Sequence, residues 1–298
     1  MRVLITGVKG QLGKSLLDSR DNSVEILGLD KNEFDLQEFN HCKKIINEFR
    51  PNWIVNTAAY TAVDKAESNR ELAFSINAFG VENLAESVSK IGGKLLHIST
   101  DFVFDGENKT PYKTENICNP INTYGESKLK GEKLALKYPG TIILRTSWLY
   151  SSHGRNFCLT MLKLHKKYSL ERLPLRVVSD QFGSPTSCKT LAEVCWKFIK
   201  AKVKKKSTNK IFHWSDSGII SWYDFSKEIG LIGEKLHLID SSAKVIPIES
   251  KDFFTEAKRP KFSALDCDIT LKFLETDQKY WKDSLEDVMK SINKKDLQ

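Results

Sequence analysis

The sequence predicts an α/β fold: a doubly wound parallel sheet with a smaller, interleaved C-terminal α/β domain. Three observations carry the prediction. Short apolar runs alternate with helical patterns as β-α-β-α-β-α-β over the first part of the chain, the order of a sheet whose strands are joined by crossover helices. The first run leads straight into Gly7-Val-Lys-Gly10-Gln-Leu-Gly13. The second ends in an acidic residue, Asp30, about 20 residues further on.

Composition narrows the class. A chain of 298 residues can bury a large core and hold one large or two modest domains. No uncharged apolar run approaches the ~18 residues of a membrane span. The chain opens at once on a strand, RVLITG, with no room for a signal peptide, so a cytoplasmic location is expected. Six scattered cysteines without a C-x-x-C pair read as reduced and structural. The histidines have no metal-ligand spacing, so no metal site is expected from them. The net charge is +8, with lysines in runs at 163–167 and 202–206. No nucleic-acid module accompanies them, so they read as solvated surface with a mild attraction for anionic nucleotides.

In order, residues 2–6 form a strand and 11–19 a helix, with the glycines between them. Glycines permit a tight turn and close backbone approach, so a pyrophosphate fits against the amide-rich helix start. A strand at 24–29 delivers Asp30, whose carboxylate suits a ribose diol. Lys31 follows and suits a 2′-phosphate, leaving the choice between NADPH and NADH open. Asp35 and Leu36 form a loop placed either to pack on an adenine or to cap the helix at 41–49. Pro51 stops that helix. A strand at 53–56 runs into Thr57-Ala58-Ala59-Tyr60-Thr61, where small residues at a strand end admit a cofactor.

A long helical pattern covers 71–91, with Leu72, Ile76, Phe79, Leu84 and Val88 at helical spacing. Asn77 and Gly80 interrupt it and read as packing against the sheet. The strand at 95–98 ends in Ser99, Thr100 and Asp101. Beyond a Pro- and Asn-rich loop, Tyr124 and Lys128 lie four apart on a helix and so share a face. A strand-end hydroxyl, a phenol and an ammonium make an acid–base set in which the lysine lowers a phenol pKa that starts near ~10.

A strand at 141–144 ends the regular alternation. Residues 1–150 then read as a Rossmann-type NAD(P)-binding domain. Residues 151–298 read as mainly substrate-binding, with some segments returning to the first domain and a cleft between the two. The later elements expected are a helix carrying Phe157, Met161 and Leu164, a strand at 175–178 and a helix at 189–201. A strand at 211–214, a helix at 222–229 and a terminal helix at 281–293 follow.

The segments ITGVKGQLG (5–13), VNTAAYTAVDKAES (55–68), STDFVFDG (99–106), YGESKLKGE (124–132), LRTSWLY (144–150), VVSDQFGSPT (177–186) and RPKFSALD (259–266) resemble the extended short-chain dehydrogenase/reductases. Within that superfamily they are most similar to the dTDP-4-dehydrorhamnose reductases, in the family's own order along nearly the whole chain. The resemblance implies NADPH- or NADH-dependent reduction of the C4 ketone of a dTDP-linked 4-keto-6-deoxysugar, dTDP-4-dehydro-L-rhamnose, to dTDP-L-rhamnose. It implies Tyr124 as proton donor, Lys128 on the nicotinamide ribose and Thr100 tuning the phenol. Gly7, Gly10, Gln11, Leu12, Gly13, Asp30, Asp35, Leu36, Ala59, Tyr60 and Thr61, with Tyr124 and Lys128, would line the cofactor. Thr100, Asp101 and Trp148 would touch the sugar nucleotide. Some relatives form metal-linked dimers, so Mg2+ at a homodimer interface is raised too, although no matching acidic cluster is located here.

Phe102 stands where the family often has tyrosine, Thr57 where it often has alanine, and 202–248 resembles the family least. Two alternatives remain at this stage. One is a reductase or epimerase of another nucleotide-linked 4-keto-6-deoxysugar. Dehydration is disfavoured, because Asp101 is followed by Phe102 rather than a second acid. The other is a non-catalytic, nucleotide-binding regulatory subunit.

Overall fold

The computed structural model describes residues 1–201 and 210–293, so the lysine run at 202–206 lies outside the described residues. The chain opens as β1 (Arg2–Thr6), α1 (Gln11–Asp18), β2 (Glu25–Leu29), α2 (Phe39–Phe49) and β3 (Trp53–Asn56). Two short helices, α3 (Val63–Ser68) and α4 (Arg70–Phe74), lead through a π-helical stretch, Ser75–Gly80, into α5 (Val81–Lys90). Then come β4 (Lys94–Thr100), α6 (Thr123–Ala135) and β5 (Thr141–Thr146). The later elements are β6 (Leu149–Tyr150), α7 (Phe157–Leu170), β7 (Leu175–Val178), β8 (Phe182–Gly183), β9 (Thr186–Ser187) and α8 (Cys188–Lys200). After these lie β10 (Ile211–His213), β11 (Ile220–Ser221), α9 (Trp222–Lys235), β12 (Val245–Ile248), α10 (Asp268–Leu274) and α11 (Trp281–Lys290).

The central sheet has six strands in the order β2-β1-β3-β4-β5-β10, and every neighbouring pair is parallel. Successive side chains on a strand point to opposite faces, and here both faces are covered. β1 sends Val3 and Ile5 into a core with Leu12 and Leu16 of α1 and Leu191, Cys195 and Phe198 of α8. It sends Leu4 into a second core with Ile46 of α2 and Val81, Leu84 and Val88 of α5. Burial on both sides explains why these strands read as unbroken apolar runs. The expected doubly wound α/β sheet is what the chain forms. α8 and β10, late in the sequence, belong to this sheet and its core. A separate core gathers Leu162 of α7, Phe225 and Ile229 of α9, Leu285 of α11, and Leu175 and Val177 of β7.

Two departures from the sequence reading have physical causes. The helix expected at 71–91 is interrupted by the π-helical stretch, and Asn77 there serves a loop rather than packing on the sheet. β12 was not expected: four residues containing Pro247 make a weak strand signal, and it survives by pairing with β7 in a two-stranded sheet.

One buried ion pair ties the sheet to α6. Arg145 of β5 and Glu132 of α6 are 2 % and 1 % exposed, with Arg145 Nη2 donating to Glu132 Oε2 at 2.7 Å and Nε donating to Oε1 at 3.0 Å. Ser99 of β4 donates to the same Oε1. Removing one partner strands the other charge in the core. Glu132→Leu should therefore cost about 3–5 kcal/mol of stability, and adding Arg145→Met should recover much of it. Urea denaturation of the single and double variants checks both.

Candidate active site

The site lies at the carboxyl edge of the sheet, where β1 and β3 lead away to opposite sides, the place where open α/β sheets bind ligands. Gly7 turns the chain there with φ +69°, a backbone region that side chains resist. A Cβ on Gly13 would stand 2.4 Å from the Gly7 carbonyl oxygen, so only glycine lets α1 start this close to the loop. The Gly10 cap of α1 carries no side-chain hydrogen bond, which leaves amide donors for an anion. The cradle fits a dinucleotide pyrophosphate. Gln11 is not free, however: its Oε1 accepts from Ser151 Oγ at 3.0 Å and from Asn156 Nδ2 at 2.9 Å. Leu12 is a core residue.

Asp30 ends β2 and is 6 % exposed. One carboxylate oxygen accepts from the Asn32 N–H at 2.7 Å, and the other pairs with Lys9 of the glycine loop. That hydrogen bond from Lys9, with the Asn32 amide, holds the carboxyl below its usual range. Lys31 reaches Asp35 at 3.9 Å instead. Leu36 is 3 % exposed and packs in the second core, so its side chain serves the fold.

Ala59 and Tyr60 are half-buried and Thr61 is exposed on the loop after β3. Asn77 anchors that loop: its Oδ1 accepts from the Tyr60 N–H at 2.8 Å and its Nδ2 donates to the Tyr60 carbonyl at 3.0 Å. Nδ2 also donates to Ser127 of α6 at 3.0 Å. Nothing in the sequence near Asn77 signals this, because its partners are 17 and 50 residues away.

Asn122 caps α6, accepting from the Gly125 N–H at 2.8 Å, and donates from Nδ2 to the Lys258 carbonyl at 2.8 Å. This start sets Tyr124 beside the end of β4. Thr100 Oγ1 donates to Asp101 Oδ1 at 3.0 Å and accepts from the Phe102 N–H at 3.2 Å. The Phe102 ring meets the half-buried Tyr124 edge-on at 5.8 Å. Burial pushes the phenol up to about 12; the Thr100 hydroxyl pulls against this and the Asp101 charge adds to it. Burial likewise raises the Asp101 carboxyl to about 6, opposed by the Ser263 and Thr100 hydroxyls. Its Oδ2 has no partner in hydrogen-bonding geometry among the described residues.

Lys128 corrects one expectation. Its ammonium is 2 % exposed at the residue level and is committed to the Ile98 carbonyl at 2.7 Å and to His97 Nε2 at 3.2 Å. Burial lowers it to about 8. The expected lowering of the Tyr124 phenol by Lys128 is absent here: the ammonium is turned to β4, and desolvation dominates the phenol. Thr100, Asp101, Tyr124 and Lys128 nevertheless form one cluster.

Trp148, just past β5, has φ +46°. For a bulky side chain such a backbone costs about 1–3 kcal/mol and persists only where the surroundings enforce it. Its ring stacks on Trp222 of α9, centroids 3.4 Å apart and planes at 6°. A Cβ on Gly183 would lie 2.7 Å from the Trp148 ring. Trp222 therefore belongs to this aromatic wall, although its sequence neighbourhood reads only as a helix start. The segment 257–263 ties the two sides together: Arg259 donates to Asp64 of α3 at 2.8 Å and 3.1 Å, and Phe182 of β8 donates its N–H to the Lys261 carbonyl at 2.7 Å.

Fold and site define a Rossmann-type α/β protein with a Thr–Tyr–Lys cluster at the carboxyl edge of its sheet. The RmlD substrate binding domain family matches residues 1–294, and the chain belongs to that family. It is 41 % identical over 270 residues to a dTDP-4-dehydrorhamnose reductase of Aggregatibacter actinomycetemcomitans, covering 89 % of this chain and 90 % of that one. A dTDP-4-dehydrorhamnose reductase of Clostridium acetobutylicum superposes with a TM-score of 0.86 at 39 % identity, over 97 % of this chain and 98 % of that one. The Bacillus anthracis reductase solved in complex with NADP gives 0.87 at 35 %, with the same coverage.

Among the described residues no group of three or more His, Cys, Asp or Glu is placed to hold a metal ion. A Mg2+-linked homodimer thus rests on the resemblance alone. No described helix is long and apolar enough to cross a membrane.

Asp101 supplies a test of the electrostatics. Its folded pKa, about 6, lies above that of the unfolded chain, so it costs nothing below about pH 4 and destabilises increasingly up to about pH 6. Asp101→Asn should stabilise the protein at neutral pH, on the order of 2–3 kcal/mol, and flatten that fall. Thermal melts across the acid range check this.

Proposed function

We propose that this protein reduces the C4 ketone of dTDP-4-dehydro-L-rhamnose to dTDP-L-rhamnose with NADPH or NADH. What supports the reading is that Thr100, Asp101, Tyr124 and Lys128 gather about the carboxyl end of β4, on the same edge of the parallel sheet as the Gly7–Gly13 turn after β1, in a chain of the RmlD family. In this reading residues 1–150 with α8 and β10 bind the cofactor, and most of the remainder binds the sugar nucleotide. Three groups of residues would hold the cofactor. They are Gly7, Gly10 and Gly13 at the pyrophosphate, Asp30 with Lys9 and Lys31 at the adenosine ribose, and Ala59, Tyr60 and Thr61 along the nicotinamide half. When bound, the reduced nicotinamide supplies the hydride that C4 accepts.

Tyr124 supplies the proton. A phenol held near 12 is fully protonated at neutral pH, which is the form a donor needs. As C4 gains the hydride its oxygen becomes alkoxide-like, a stronger base than a phenolate, and takes the Tyr124 proton. The O–H bond of the phenol breaks as that of C4–OH forms. Thr100 steadies the phenolate left behind by turning its one hydroxyl hydrogen from Asp101 Oδ1 to the Tyr124 oxygen. Asp101, with an unpaired buried oxygen, accepts from a sugar hydroxyl, and the Trp148–Trp222 stack lies along the apolar edge of the 6-deoxysugar. A cytoplasmic setting agrees with six cysteines that are all free.

Tyr124→Phe should lower kcat by about 10²–10⁴ with NADPH affinity nearly unchanged, read by NADPH oxidation with enzymatically made dTDP-4-dehydro-L-rhamnose and by fluorescence titration. Near-normal turnover in that variant would sink the assignment. For the cofactor, Asp30→Ala should weaken NADH more than NADPH, because the carboxylate suits a diol and opposes a phosphate. Equal weakening of both would remove Asp30 from cofactor choice.

A further inference from the structure

Three central strands carry a row of buried polar side chains that the proton chemistry above leaves unused. Thr6 on β1, Asn56 on β3 and His97 on β4 pair in register across adjacent strands, and none is exposed. Thr6 Oγ1 donates to Asn56 Oδ1 at 2.5 Å, Asn56 Nδ2 faces His97 Nδ1 at 2.9 Å, and His97 Nε2 lies 3.2 Å from Lys128 Nζ. The Ala58 N–H, in the loop that ends at Thr61, donates to Thr6 Oγ1 at 3.3 Å. Polar groups this deep are costly unless each is satisfied. The donor count therefore dictates who faces whom.

An ammonium has only hydrogens to offer. The Ile98 carbonyl takes one from Lys128, and a second points at His97 Nε2, which must then be a lone pair. The ring is neutral, because burial and the neighbouring Lys128 charge hold it well below the ordinary histidine range. Its one proton is consequently on Nδ1 and donates to the Asn56 oxygen. That direction takes the Asn56 carboxamide flipped end for end from the placement above, its oxygen toward His97 and its NH2 toward Thr6, so that the histidine and carboxamide donors both point away from Lys128. If Lys128 loses its proton, each link must turn round. His97 donates from Nε2 to the amine, Asn56 offers its NH2 to Nδ1, and Thr6 donates to the Asn56 oxygen. Both directions use the same heavy-atom positions, since a carboxamide exchanges its ends by a flip.

We infer that His97, with its tautomer set by Asn56 and Thr6, is the positioning residue that holds Lys128 as an ammonium, and that the row reverses direction when Lys128 is deprotonated. Two of the three ammonium hydrogens are fixed by β4, and the third is left for the ligand. The other charged or titratable groups around Lys128 do not replace His97. Glu132, one turn along α6, is committed to Arg145 and Ser99; Tyr124 is a neutral phenol; Asp101 bonds with Thr100. Lys128 is already lowered to about 8 by burial, so its ionisation falls where the reversal can be observed. Only the kinetic consequence rests on the reductase reading.

The test is long-range ¹H–¹⁵N NMR of the cofactor-free protein labelled with ¹⁵N-histidine, the His97 signals being those lost in His97→Gln. At about pH 6 the expected state is a neutral ring protonated on Nδ1, passing to the Nε2 tautomer as the pH rises toward about 10. An imidazolium at about pH 6, an Nε2 proton there, or a tautomer indifferent to pH would each overturn the inference. In kinetics, His97→Leu removes an acceptor from the ammonium, so the alkaline limb of kcat should move down by about one to two pH units. His97→Gln, which keeps an acceptor oxygen, should largely restore it. Equal shifts in the two variants would count against the assignment. The NMR experiment needs neither substrate nor turnover, so it stands or falls apart from the Tyr124 test; should His97→Gln not fold, replacing the other five histidines in turn assigns His97 by elimination.

Discussion

The buried pair of Arg145 and Glu132 is the interaction on which the arrangement depends. Arg145 is on the strand next to β4, and Glu132 is two turns along α6 from Tyr124. Their hydrogen bonds, with Ser99 joining on the same carboxylate, lock helix, strand and sheet into one register. Arg145 also lies over the Phe104 ring at 5.2 Å and meets His213 of β10 at 3.3 Å. His213 can accept from a guanidinium because burial and that same charge push it down to about 3. One arginine thus joins two neighbouring strands, α6 and the loop after Thr100. Such pairs add little net stability over an apolar core. What this one contributes is geometry: it holds α6 at the angle that brings Tyr124 to Thr100.

Burial then sets the chemistry. The same desolvation raises a phenol, raises a carboxyl and lowers an ammonium within one small volume. All three shifts favour uncharged forms, and an uncharged phenol is the form that the proposed proton transfer requires. Lys128 does not act on the tyrosine directly. It is held to the sheet by a carbonyl and an imidazole, and its remaining N–H is the one left over.

The Trp148–Trp222 pair is held by strain and stacking. Trp148 keeps an unfavourable backbone because Trp222 covers one face of its ring and Gly183 leaves room against it. Backbone cost of this kind is repaid by surrounding packing and collects at ligand sites. The segment at 257–263 then spans from β8 to α3, so the two cores are bound by side-chain and backbone hydrogen bonds as well as by the peptide.

How much of this was legible in the sequence follows from range. The glycine spacing, Asp30 at the end of a strand, Thr100 at another and the Tyr124–Lys128 interval are local patterns. A local pattern survives in one dimension because helix and strand periods are set by the backbone. The alternation through the strand at 141–144 was readable for the same reason, as were the exact bounds of Trp53–Asn56 and Leu175–Val178; 211–214 read as a strand, but not as the sixth of this sheet. What lay beyond it were relations across long separations. They include Lys9 covering Asp30, Asn77 pinning Tyr60, Trp222 stacking on Trp148, and Lys128 turning from its tyrosine to His97. Each depends on which strands become neighbours and how deep a group is buried. The sequence alone determined the residues available for chemistry and the elements that carry them. Only the tertiary structure decided their partners and protonation, because desolvation and donor–acceptor matching exist only once distant segments exclude water together.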